Sequence, residues 1–236
     1  MDALPVLGLD ADDTLWENGI GFAAVTSRYC DLVSPWVDEP VAKAALIETE
    51  RAHVKDHGYG VKGFILSIIE TVITLSEGKV TGSQIAPVLD WGRELIEAPI
   101  DLLPGVTETI STLAADHRLL LITKGDPIEQ HRKVNGSGLA DWLWGVEVVA
   151  EKNPETYTDV LRRHGVEPTG FVMVGNSLPS DVLPVLAIGG RAVHIPHAIT
   201  WALETVEDEE LEHHEFTVLD SFTELPALLA AWRDQG

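Results

Sequence analysis

The chain has 236 residues and an apolar share of 45%, enough to bury one large core or a core with a smaller insert. It carries 16 lysines and arginines against 38 aspartates and glutamates, a net charge of −22 with histidine neutral. Such a surface repels phosphate backbones and anionic membranes, which argues against nucleic-acid and membrane partners. The single cysteine, Cys30, excludes an intrachain disulfide and a cysteine-clustered zinc site, and it suits a reducing cytosol.

In chain order, Met1-Asp2-Ala3-Leu4-Pro5 lacks the basic start of a signal peptide. Val6-Leu7-Gly8-Leu9 reads as a short buried parallel strand that opens into acids at Asp10. From about Glu17 to Ile100 the pattern is helical, with no clear strand. One helix is expected from Ile20 to Leu32 and a second between Pro40 and Gly58, which suit a first turn and an end. In a third, Val61, Phe64, Ile65, Ile68, Ile69, Val72 and Ile73 follow the i, i+3, i+4 rule until Gly78 stops it. A fourth runs from Ser83 to Glu97, before Pro99. The longest apolar stretch, Val61 to Leu75, carries Lys62 and Glu70 and is too short to cross a bilayer, so the expected location is cytoplasmic.

Beyond Ile100, helices alternate with strands. Helices are expected at Gly105–Ala115, Pro127–Val134, Glu155–His164 and Val182–Ile188. Each precedes an apolar strand: Leu119–Ile122, Val146–Val149, Phe171–Val174 and Ala192–Ile195. Glu204 to Glu215, with His213 and His214, reads as a solvated acidic run, and Phe216–Leu219 with Leu225–Trp232 as an edge strand and a last amphipathic helix. The fold class is therefore α/β with a parallel sheet and right-handed crossovers. Residues 1–16 and 100–236 form its core, and residues 17–99 form an inserted all-helical block placed like a lid.

The first strand delivers Asp10-Ala11-Asp12-Asp13-Thr14-Leu15. Carboxylates crowded at the mouth of a buried strand are costly unless a cation joins them, and Mg²⁺ takes oxygen ligands while keeping waters for a phosphate-bearing substrate. Asp10 and Asp12 are two apart, so an extended backbone aims them alike: one can attack while the other handles protons. Taken alone, such a cluster is also what a solvated loop or a helix cap looks like.

Asp10-Ala11-Asp12-Asp13-Thr14 resembles the first motif, DxDxT, of the haloacid dehalogenase-like superfamily. The other three motifs appear in order. Thr123, in Leu121-Ile122-Thr123-Lys124-Gly125-Asp126, resembles the motif II hydroxyl; Lys152, before Asn153-Pro154, resembles the motif III lysine. Gly175-Asn176-Ser177-Leu178-Pro179-Ser180-Asp181 resembles the acidic motif IV, but carries Asn176 where the family often has an acid. That departure leaves open whether Asn176 or Asp181 is the main third metal ligand. Asn153 reads as a helix N-cap with Pro154 at N1, and Asp126 as a cap of the helix that follows it.

The resemblance implies a Rossmann-like core with a small helical cap, and a Mg²⁺-dependent phosphatase acting on a small phosphorylated substrate. It implies that Asp10 attacks phosphorus and that Asp12 protonates the leaving oxygen and then activates water. It further implies that Thr123, Lys124 and Lys152 bind the phosphoryl group, and that Asp10, Asp12, Asn176 and Asp181 hold the metal. A phosphomutase shares the same motifs and stands second. A 2-haloacid dehalogenase stands third, because such enzymes generally lack the second motif I acid, and a phosphonatase is disfavoured by the same residue. Outside enzymes, the alternative is a metal- or phosphate-binding regulator, which loss of Asp10 or Lys152 would have favoured. Cys30 reads as a core residue of the first inserted helix, and His194-Ile195-Pro196-His197 as structural in preference to zinc-binding. Tyr59-Gly60-Val61-Lys62-Gly63 is either a substrate-reading loop or an ordinary helix connection, and Trp16 and Phe22 either line the pocket or pack the hinge. Substrate identity and oligomeric state are not legible.

Overall fold

The computed structural model describes residues 5–206, 211 and 214–234. Met1 to Leu4, and most of the acidic run after Val206 with His213, lie outside them. Spatial clustering divides the chain into two units: Met1–Glu17, Ile100–Lys124 and Gln130–Gly236 form one, and Asn18–Pro99 with Gly125–Glu129 form the other.

The first unit holds a six-stranded parallel sheet. Its strands are β1 (Val6–Leu9), β2 (Arg118–Lys124), β3 (Leu143–Val149), β4 (Phe171–Gly175), β5 (Arg191–His194) and β6 (Thr217–Val218), in the order β3-β2-β1-β4-β5-β6. Side chains alternate between its faces. Leu7, Leu9, Leu119, Leu121, Val172 and Val174 form one apolar layer with Val106 and Ile110 of α5 (Val106–Leu113), Val134 of α6 (Pro127–Gly136) and Leu225 of α9 (Leu225–Asp234). Val6, Leu120, Ile122, Phe171 and Met173 form the other with Tyr157, Val160 and Leu161 of α7 (Pro154–His164) and Val185 of α8 (Leu183–Ala187). β1 is central, and Gly8 is there because a Cβ would lie 2.3 Å from the Phe171 ring. The two-residue β6 ends the sheet, the edge position expected for Phe216–Leu219.

The second unit is a helical bundle of α1 (Gly19–Val33), α2 (Glu39–His57), α3 (Val61–Leu75) and α4 (Gly82–Glu97). Val25, Tyr29, Val33, Leu46, Phe64, Ile68, Val72 and Val88 build its core, which also buries Cys30. Phe22 packs against Phe64 with the rings tilted and their centroids 4.9 Å apart, so it belongs to the bundle. Gly125–Glu129, expected in the core, groups with the bundle for a local reason. Asp126 accepts from the Lys62 ammonium at 2.7 Å, and Glu129 accepts from the Val61 N–H at 3.1 Å. Asp126 also caps α6, accepting from the Ile128 and Glu129 N–H groups.

Candidate active site

The crossovers leaving β1 and entering β4 lie on opposite faces of the sheet, which opens a crevice at the carboxyl ends of these neighbouring strands. Asp10 extends β1 by one hydrogen bond, from its N–H to the Val174 carbonyl (2.9 Å). The chain then turns back, with the Thr14 and Leu15 N–H groups on the Ala11 carbonyl and Asp13 left-handed at φ 62°. Aspartate tolerates that conformation better than most residues. The turn brings the Thr14 hydroxyl to Asp10 Oδ2 (2.9 Å) and within 3.3 Å of Asn176 Oδ1, which follows β4.

Lys152 reaches the same place from the loop between β3 and α7. The Asn153 side chain caps α7 by accepting from the Thr156 N–H at 2.8 Å, with Pro154 in the first turn, and this fixes the backbone beside the lysine. Lys152 Nζ donates to Asp10 Oδ1 at 2.5 Å and to Asp181 Oδ1 at 2.6 Å. Asp181 lies in a π-helical turn (Leu178–Val182), and its other oxygen accepts from the Ser177 N–H at 3.0 Å. Such turns recur at functional sites.

One ammonium thus serves two buried carboxylates. Burial pushes Asp10 up to about 7, aided by the charges of Asp181 and Asp12 and opposed by Lys152. Burial also works against the charge on Lys152, yet Asp10 and Asp181 hold it well above the ordinary lysine range. The cluster holds two carboxylates to one ammonium and is a positive charge short: the lysine keeps its proton, while burial above all favours the neutral form of Asp10.

The other expected residues take different positions. The Asp12 carboxylate accepts from the Trp16 indole (2.6 Å), Gln130 Nε2 (3.0 Å) and Lys133 Nζ (2.9 and 3.0 Å). The Thr123 hydroxyl lies 3.4 Å from Gln130 Oε1. Lys124, expected to bind substrate, donates to Glu204 (2.6 Å) and to the Ser180 hydroxyl (2.8 Å). Burial would raise Glu204, but Lys124 draws it below the ordinary glutamate range. Trp16 is a buried core residue of this unit that also holds Asp12.

A family model of haloacid dehalogenase-like hydrolases matches residues 5–189. The chain belongs to this family. It is 35% identical to a haloacid dehalogenase-like family hydrolase from Xanthomonas campestris of known structure, covering 99% of this chain and 93% of that one with a TM-score of 0.87. It is 26% identical to a glyceraldehyde 3-phosphate phosphatase of Methanothermobacter thermautotrophicus, over 96% of this chain and all of that protein. The L-2-haloacid dehalogenase of Xanthobacter autotrophicus shares the fold, at 18% identity and a TM-score of 0.66 over 97% of this chain and 99% of that one.

Sequence reasoning passed over Gln130 and Lys133, and it read Glu204 as the start of a solvated run, where the structure pairs it with Lys124. Gln130 and Lys133 are spaced i, i+3 on α6 and are buried, but a polar pair on a short helix looks like its solvent face until the partner is known. Among the described residues, Asp13, Glu17 and His197 form the one group of three whose ligand atoms converge, within 4.8 Å of one another. His194 points elsewhere, to the Asn176 carbonyl at 3.0 Å.

Proposed function

We propose that this chain is a Mg²⁺-dependent phosphatase of small phosphorylated metabolites that works through an aspartyl-phosphate on Asp10. The observation that carries the reading is Asp12. An alkyl halide departs as halide and needs no proton, whereas an alkoxide leaving a phosphate ester does. A second motif I acid, held in place by three side chains, can supply the leaving-group proton that only the second reaction needs. Similarity over nearly the whole chain to a protein named for dephosphorylating glyceraldehyde 3-phosphate supports the same reading and points to small esters.

The donors fit a hard divalent cation. Asp10 Oδ2 accepts from the Thr14 hydroxyl, Asn176 Oδ1 lies beside that hydroxyl, and the cluster is short of positive charge. Asp10, Asn176 and the Asp12 carbonyl would hold Mg²⁺, with Asp181 nearby. The cation would let an anionic nucleophile meet an anionic ester. Asp181 spends one oxygen on Lys152 and the other on the Ser177 N–H, which suits it to fixing the lysine, and leaves Asn176 the better-placed ligand.

An Asp10 oxygen forms a bond to phosphorus as the bond to the leaving oxygen breaks, and Asp12 gives that oxygen its proton. Water then attacks phosphorus, its proton passes to Asp12, and the Asp10 carboxylate departs. Lys152 and the Thr123 hydroxyl stabilise charge on the transferring group. The location implied for such a metabolic enzyme is the cytoplasm.

The test is phosphate release from p-nitrophenyl phosphate and a panel of phosphorylated metabolites, with Mg²⁺, with EDTA, and with Asp10→Asn. Release that needs Mg²⁺ and vanishes in the variant is expected. Halide release from 2-haloacids without phosphate release would overturn the reading.

A further inference from the structure

The Asp12 carboxylate is pinned more completely than its place on a loop requires. Its two oxygens receive four hydrogen bonds from three side chains: the Trp16 indole and the Lys133 ammonium on Oδ1, and Gln130 and Lys133 again on Oδ2. Two of these donors come from α6, which follows β2 and not the motif I loop. Gln130 is 1% exposed and Lys133 6%. Burying an amide and an ammonium costs stability that an apolar pair would not, and a buried ion pair is a weak source of net stabilisation. What the arrangement yields is direction: an aspartate has two rotatable side-chain bonds, and this one is held from two elements at both oxygens. Gln130 also ties the acid to the phosphate-binding end of β2, because its Oε1 lies 3.4 Å from the Thr123 hydroxyl while its Nε2 donates to Asp12.

We propose that Gln130 and Lys133 are positioning residues that aim Asp12 at the leaving-group oxygen and hold it in register with Thr123. The inference rests on the phosphatase reading and concerns one step of it. As the phosphorus–oxygen bond breaks, the departing oxygen takes the Asp12 proton only if that carboxyl lies along its path. A misaimed Asp12 leaves the nucleophilic attack by Asp10 intact, but it impairs protonation of the leaving oxygen and, in the second step, deprotonation of the water; only the first of these depends on the leaving group. In the first step misaiming therefore matters little for a leaving group stable as its anion and much for an alkoxide.

The experiment compares kcat and KM for p-nitrophenyl phosphate and for the alkyl phosphate of the panel that the wild type turns over fastest. Wild type, Lys133→Met, Lys133→Arg and Gln130→Met are measured in each. General acid catalysis contributes about a hundredfold or more, so the Met variants should lose at least about tenfold more activity on the alkyl ester than on the aryl ester. The ester-dependent loss should be read in kcat/KM, where the shared hydrolysis of the intermediate does not enter, and Lys133→Arg should recover part of it. A merely structural role would lower both esters alike. Equal losses, or a shared rise in KM showing that Lys133 binds the phosphate itself, overturn the proposal. So does a wild type that cleaves aryl but no alkyl ester, since it would have no aimed acid to lose. If Lys133→Met does not fold, Gln130→Met and Lys133→Arg carry the same comparison. A wild type inactive on both esters sinks the phosphatase reading instead, which keeps the two failures apart.

Discussion

The Lys152 ammonium lies 2.6 Å from the Asp181 carboxylate, and each side chain is 1% exposed. Neither group reaches water, so each depends on the other and on Asp10 for its charge to be tolerable. Asp181→Ala should therefore leave Lys152 with one partner and destabilise the protein by about 3–5 kcal/mol. Asp181→Asn keeps the acceptor oxygen and the shape and should cost clearly less. Urea unfolding of both variants checks the order, and similar losses would show that packing, not charge, dominates at this position.

The same shortage of positive charge predicts a metal effect that can be read without turnover. Mg²⁺ at about a hundred times its dissociation constant should stabilise the fold by about 2.7 kcal/mol, visible as a rise of several degrees in Tm that EDTA reverses. Asp10→Asn should lose most of that rise. Asn176→Asp adds a negative oxygen beside Asp10 and should shift the titration to lower Mg²⁺. Should Asn176→Asp leave the midpoint where it is, Asn176 is not a ligand.

Elements with a strong local signature were legible in the sequence. Val6–Leu9 has in the sequence the bounds the structure gives, and the third helix is legible from its i, i+3, i+4 stripe beginning at Val61, though the sequence stops it only at Gly78 and the structure ends it at Leu75. Asn153 and Asp126 were legible as caps because capping is a contact within three residues. Gly125–Glu129 was assigned to the core because sequence alternation does not reveal that Lys62 and Val61, more than sixty positions earlier, hold it. The Lys124–Glu204 ion pair illustrates the same limit, since its partners lie eighty residues apart and no local pattern announces the contact. Partners distant in sequence leave no periodicity to read.

Glu147 supplies a pH dependence away from the site. Burial raises its carboxyl, but the hydrogen bonds from Arg163 (2.6 Å) and His164 (2.7 Å) outweigh that and hold it below the ordinary glutamate range. A pKa lower in the folded state means that the unfolded chain takes up the proton first as pH falls. The stabilisation is therefore complete above the unfolded value of about 4.3 and disappears as pH drops through the folded value. Arg163 is half exposed, so the contribution is at most about 1 kcal/mol. Glu147→Gln should be less stable than wild type at neutral pH, and the gap measured by denaturant should close below about pH 4. A gap independent of pH would assign the effect to packing.

Gly175 and Gly8 offer a paired test of whether the site depends on close packing at the end of β4. A Cβ on Gly175 would lie 2.2 Å from Asp181 Oδ2, and one on Gly8 would lie 2.3 Å from the Phe171 ring. Both substitutions to alanine overpack one sheet, so each should cost about 1–3 kcal/mol. Their consequences for the site differ. In Gly8→Ala the displaced atoms are apolar, those of Phe171 and Met173 in the layer shared with α7 and α8, and none of them belongs to a carboxylate or to Lys152. In Gly175→Ala the displaced atoms are those of Asp181, which must move away from Lys152 or from the Ser177 N–H. Comparable Tm losses with phosphate release failing only in Gly175→Ala are expected. That failure should fall on aryl and alkyl esters alike, since it disturbs Lys152 and phosphorus, not the proton on the leaving oxygen. Equal activity in the two variants, measured well below either Tm, would show that Asp181 can shift without moving Lys152.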